Sequence, residues 1–114
     1  MMNPKFNFWL EIEGEVALSV WRVRLLQAVG EAGSISGGAV QMDVPYRIAW
    51  QKIHEMEERL GQKLVDTQVG GRSGGGATLT PAAQTYIERF EQFSQEAADF
   101  VNGRYQQIFT DLIP

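Results

Sequence analysis

Phe6, Phe8, Leu10 and Ile12 alternate with Asn7, Trp9, Glu11 and Glu13 near the start of the chain. A period of two predicts a half-buried strand. Gly14 interrupts the run, and Val16, Leu18 and Val20 resume it, so residues 1–20 are expected to form a strand arm with a hairpin. From Val20 the spacing changes. Val23, Leu25, Leu26 and Val29 fit one face of a short helix that stops near Gly30 or Gly33. Ser34 stands where an N-cap would open a second helix running through Met42. Asp43, Val44 and Pro45 form a tight break, with Pro45 suited to the first turn of a third helix. That helix reaches about Leu60, buries Ile48, Ala49, Ile53, Met56 and Leu60, and is ended by Gly61.

Leu64 and Val65 then lead into a loop with five glycines between Gly70 and Gly76, and Ala77 to Thr80 lead out. Two β-prone segments around a glycine-rich tip predict a second hairpin over residues 62–80. Thr80-Pro81 places a capping hydroxyl before a proline at the first helical position. The helix it starts, over residues 81–110, carries Tyr86, Phe90, Phe93, Ala97 and Phe100 at spacings of four, three, four and three. That heptad-like seam calls for a partner helix, expected from a second copy of the chain. Arm (1–20), three helices (21–61), hairpin and long helix together predict one mainly α domain of winged helix-turn-helix type over residues 1–114.

Composition narrows the function classes. No apolar run approaches the ~18 residues of a membrane span, and the N-terminus lacks the basic start and apolar stretch of a signal peptide. A cytoplasmic location is the expectation. The absence of cysteine removes disulfides, thiolate zinc sites and cysteine nucleophiles. The net charge of −4 counts against nucleic-acid binding, but its distribution does not. Residues 34–54 carry Asp43 against Arg47 and Lys52, and residues 62–80 carry Asp66 against Lys63 and Arg72. Each of these segments is net positive by one, on a body that is acidic elsewhere.

The second and third helices carry the functional expectation. Gly37, Gly38 and Ala39 give the second helix a small face for the third to cross, and Asp43-Val44 supplies a sharp turn. Pro45, Tyr46, Arg47, Trp50 and Gln51 then form the exposed face of a recognition helix, with Lys52 flanking it. Arginine and glutamine suit bidentate contacts to guanine and adenine edges, while tyrosine and lysine suit phosphates. Of Ser34 and Ser36, one is expected to cap the second helix and the other is free for a phosphate. Trp50 fits either the core against the second helix or a partly exposed place on the DNA face.

The stretches GSIS, AW, I-x-E-M and GG-x-x-GGGA-x-LT resemble the N-terminal domain of the ModE family of molybdate-responsive transcription regulators. More distantly, the chain resembles the LysR-type winged helix with its GS-x-S, LE-x-x-LG and LT. The resemblance covers about Leu25 to Phe90. It implies binding of double-stranded DNA by a homodimer, with Tyr46, Arg47 and Trp50 on the recognition helix. It further implies that the glycine loop with Arg72 and Ser73 is a wing tip. Full-length regulators of this kind continue into molybdate-binding domains, so a single-domain form that does not itself bind molybdate is expected. Asp43 stands where such proteins usually carry glycine; aspartate tolerates the left-handed conformation such a turn requires.

Other chemistry finds little support. The glycine loop lacks the Gly-Lys-Ser/Thr ending of a phosphate cradle and leads into a strand. His54 has neither cysteine neighbours for a metal site nor a partner for a nucleophilic triad, and reads as a helix-surface residue. Glu55, Glu57 and Glu58 beside Arg59 read as a solvated face, and Arg22 and Arg24 as members of ion pairs, with a phosphate contact the weaker alternative. No catalytic residue, cofactor or metal is expected, and no membrane partner. The competing function is a winged-helix adaptor that dimerises and binds protein but no longer binds DNA.

Overall fold

Three hydroxyl side chains start three of the four helices in the computed structural model, which describes residues 1–69, 75–112 and 114. The Ser19 Oγ accepts from Arg22 N at 3.1 Å, the Ser34 Oγ from Gly37 N at 2.9 Å, and the Thr80 Oγ1 from Ala83 N at 3.1 Å. Each satisfies a backbone donor that the first helical turn leaves open. The order along the chain is β1 (Trp9–Ile12), β2 (Glu15–Ser19), α1 (Val20–Ala32), α2 (Ile35–Gln41), α3 (Tyr46–Leu60), β3 (Val65–Gln68), β4 (Gly76–Leu79) and α4 (Pro81–Phe109). Left-handed glycines, Gly33 and Gly61, end α1 and α3.

The arm departs from the simple alternation. Its strand begins only at Trp9, and all four residues of β1 are exposed. Glu13 and Gly14 turn the chain with φ of 52° and 80°, the paired positive values of a tight hairpin. Leu10 pairs with Leu18 but Glu11 pairs with Val16, so Ala17 is an extra residue in β2. That bulge breaks the period of two and buries Ala17 and Leu18 side by side, with Val16 only half-buried. Phe8, ahead of the strand, stacks on Phe90 of α4 at 5.2 Å between ring centres and meets Phe93 edge-on at 5.3 Å.

The core lies where α1 and α3 meet the base of the second hairpin and the first half of α4. Leu25, Leu26 and Val29, Ile53 and Met56, and Leu64 and Val65 are its largest fully buried side chains among the described residues. Ala83, Ile87 and Phe90 close it from α4. The remainder of α4 runs out of this core. The extents of 63 × 30 × 21 Å follow from it, and so does the radius of gyration of 17.5 Å, against about 13 Å for a compact domain near this size.

One main-chain bond fixes the second hairpin to the end of α1, and another closes the base of the hairpin. Ala77 N donates to Gly33 O at 2.8 Å, and Thr80 N to Leu64 O at 3.0 Å. The buried Thr80 hydroxyl also donates to Lys63 O at 2.7 Å. Thr80→Val keeps the shape and removes both hydroxyl bonds, so unfolding free energy is expected to fall by about 1–2 kcal/mol in urea titrations.

Candidate nucleic-acid interface

The turn between α2 and α3 is made by the backbone. Asp43 takes φ of 56°, the left-handed conformation expected of it. Asp43 N donates to Val40 O at 3.1 Å and Val44 N to Ala39 O at 3.0 Å. Pro45 is extended, with ψ of 147°, so it precedes α3 instead of occupying its first helical position. Its carbonyl accepts from Ile48 N and Ala49 N, and Tyr46 opens the helix.

Gly38 serves a different neighbour from the one expected. A Cβ on Gly38 would come within 2.6 Å of Val29 Cγ2 and 3.0 Å of the Val29 backbone. It is therefore α1, and not the recognition helix, that requires glycine there.

Pro45 just before α3, and Tyr46, Arg47, Trp50 and Gln51 on it, are all exposed. Tyr46 is 53% and Trp50 47% exposed, so Trp50 stands on the surface and not in the core. Arg47 takes part in none of the ion pairs among the described residues. Tyr46 and Trp50 join Ser34, Ser36, Thr67 and Gln68 around a cleft of about 390 Å³ between α3, the start of α2 and the second hairpin. Ser34 caps α2, and the exposed Ser36 hydroxyl lies 3.4 Å from it. Thr67 and Gln68 were missed because alternating polar residues near a hairpin carry no sign of which helix they will face. Arg72 and Ser73 lie outside the described residues.

Lys52 belongs elsewhere. At 100° per residue it sits roughly 200° around α3 from Trp50, and its Nζ is 3.5 Å from Glu55 Oε2. Glu55 is no solvated carboxylate. It lies 3.1 Å from Arg22 Nη2 and 3.8 Å from Arg59 Nη1, with its side chain 23% exposed and that of Arg22 9%. Burial pushes the Glu55 carboxyl up, but the Arg22 hydrogen bond and the charges of Lys52, Arg22 and Arg59 outweigh it and hold the pKa below the ordinary glutamate value. Arg22 also reaches Lys52 O, and Arg59 reaches Val16 O at 2.7 Å and Glu15 at 2.9 Å. The cluster thus ties α1, α3 and the first hairpin together behind the exposed face. Glu57 is also structural, accepting from Leu64 N and Val65 N. Only Glu58 of the three faces solvent.

The last helix divides the seam. Phe90 is 4% exposed in the chain's own core, with Tyr86 packed beside it, which removes Phe90 from any surface open to a partner. Phe93 and Phe100 are 52% and 70% exposed, and Ala97 lies half-buried between them.

Three helices, a hairpin fixed to the end of the first and an exposed face on the third define a winged helix-turn-helix domain. Residues 21–84 match the model of the bacterial regulatory helix-turn-helix proteins of the lysR family, and the chain belongs to that family. Among its relatives, the molybdenum-pterin-binding protein MopB of Rhodobacter capsulatus is 41% identical over 79% of this chain. The transcriptional regulator ModE of Yersinia pestis is 36% identical over 99% of this chain, and the dual regulator ModE of Escherichia coli K12 is 33% identical over 89%. The chain covers 33%, 41% and 40% of these three curated relatives respectively. The BenM DNA-binding domain, solved with catB site 1 DNA, superposes with a TM-score of 0.54 at 18% identity, covering 82% of this chain and 96% of that one. The CbnR DNA-binding domain, solved with DNA, gives 0.53 at 22% identity over 68% and 87%. At these identities the likeness is one of fold.

Proposed function

We propose that this chain binds double-stranded DNA sequence-specifically as the reading domain of a transcription regulator. The observation that carries the reading is the exposed face of α3, where Tyr46, Arg47, Trp50 and Gln51 stand clear of the core at the front of a helix-turn-helix. Arg47 and Gln51 supply base-edge contacts, Tyr46 and Ser36 backbone contacts, and Arg72 with Ser73 the wing contacts. Lys52 contributes to the local field while paired with Glu55. The names of the relatives extend the reading to genes of molybdenum metabolism. A gel shift on duplexes selected from random DNA tests it. Arg47→Ala is expected to weaken binding by about 1–3 kcal/mol, roughly 5- to 150-fold. Wild-type binding is expected to fall steeply with salt. No shift at low salt would overturn the proposal and favour the protein adaptor.

The same domain is proposed to act as a homodimer through the outer half of α4. Support comes from the exposed Phe93 and Phe100, seven residues apart on one face of a helix that leaves the core. Phe100→Glu is expected to weaken self-association roughly tenfold in sedimentation equilibrium, with helix content unchanged. A wild-type chain that stays monomeric at high micromolar concentration would remove the dimer.

A further inference from the structure

Tyr46 and Trp50 are four residues apart, which places their rings on one side of α3. Each of the two residues is left about half exposed by the chain. The Trp50 indole is held in place. It stacks on the His54 imidazole with ring centres 3.7 Å apart and planes at 23°, and His54 Nδ1 lies 2.8 Å from Trp50 O. A carbonyl only accepts, so Nδ1 carries the hydrogen, and the imidazole is fixed by its edge and by its face. The cleft beside Trp50 is lined by the polar Ser36, Thr67 and Gln68 and by the apolar Ile35, Val69 and Ala77, none of them an aromatic plate on the helix.

A fixed apolar plate on a recognition helix has one apolar counterpart on the base edges of the major groove. Guanine, cytosine and adenine present donors and acceptors there; thymine adds its 5-methyl group. An indole face pressed on a purely polar edge would strip water from groups it cannot satisfy. We propose that Trp50 is a specificity-determining residue that reads the 5-methyl of a thymine in each half-site, and that His54 is the positioning residue that holds it there. This inference rests on the DNA-binding reading above.

The test removes the methyl and nothing else. A duplex selected from random DNA with the 114-residue chain is remade with deoxyuridine for thymidine, one position at a time. At one position per half-site, the uracil duplex is expected to bind about fourfold more weakly, the worth of one buried methyl. Trp50→Ala should bind the thymine and uracil forms equally. His54→Ala should shrink the ratio, and His54→Phe, which keeps a stacking ring, should restore it. Uracil duplexes that all bind like the parent would overturn the inference while leaving DNA binding intact. So would a Trp50→Ala chain that keeps the ratio, or an indole that packs on sugar and whose loss weakens both forms alike without altering the wild-type ratio. A chain that binds no selected duplex overturns the DNA reading, and the thymine inference with it.

Discussion

Glu55→Ala is expected to lower unfolding free energy by about 3 kcal/mol, with a fall in melting temperature of roughly 10 °C. The cost comes mainly from what is left behind. Arg22, whose side chain is 9% exposed, would keep its charge close to Lys52 and Arg59, which share the Glu55 carboxylate, with no carboxylate left to meet it. Removing one partner of a buried pair costs about 3–5 kcal/mol; the low end applies because Glu55 retains 23% of its surface. The pH dependence follows from the lowered pKa. With a folded-state pKa below the unfolded one, the stabilisation is complete above the ordinary glutamate value and is lost as pH falls through the folded value. The gap between wild type and Glu55→Ala should therefore be widest near neutrality and close in acid, in parallel urea titrations across that range. A gap unchanged by acid would show that the ion pairs carry none of it.

Gly38→Val is expected to cost a similar amount by the opposite route, through excess volume. The first added atom already lies 2.6 Å from a Val29 methyl and 3.0 Å from its backbone, and Val29 is fully buried with no room to retreat. Overpacking of this kind costs about 1–3 kcal/mol, and contact with backbone puts this site at the top of that range. Because Val44 N bonds to Ala39 O, a shift of α2 carries the start of α3 with it. DNA affinity should then drop along with stability in a combined denaturation and gel-shift series. Pairing the substitution with Val29→Ala should recover part of the loss, since the two changes share one contact. Wild-type stability for Gly38→Val alone would contradict the close approach of α1 and α2.

Much of the fold was legible because its punctuation is local. Ser34, Gly33, Gly61 and Thr80-Pro81 act through their own backbone neighbours, and each stands where the spacing placed it. Tyr46, Arg47, Trp50 and Gln51 were legible as an exposed face for the same reason, since helical periodicity separates them from Ala49, Ile53 and Met56. What was not legible depends on partners distant in sequence. Ala17 became a bulge through pairing across the hairpin, which no single-strand pattern reveals. Glu55 was assigned to a solvated face, and Lys52 to the flank of the reading face, because Arg22 lies 33 residues from Glu55. One signal was present: Arg22 shares a helical face with Leu25, Leu26 and Val29, and a charge in that position requires a partner.

The packing of the arm along α4 has a kinetic consequence. Phe8 stacks on Phe90, and Tyr105 donates to the carbonyl of Met2, 103 positions away in sequence. Contacts that close nearly the whole chain into a loop are entropically slow to form, whereas those among α1, α2 and α3 are local and fast. With half-exposed residues and few backbone bonds beyond the short hairpin, the arm is also the segment with least to lose on opening. It can peel away while the helices stay folded. A second copy approaching α4 would find Phe100 open and Phe93 partly covered by Phe8, so each lifting of the arm would widen the apolar surface on offer.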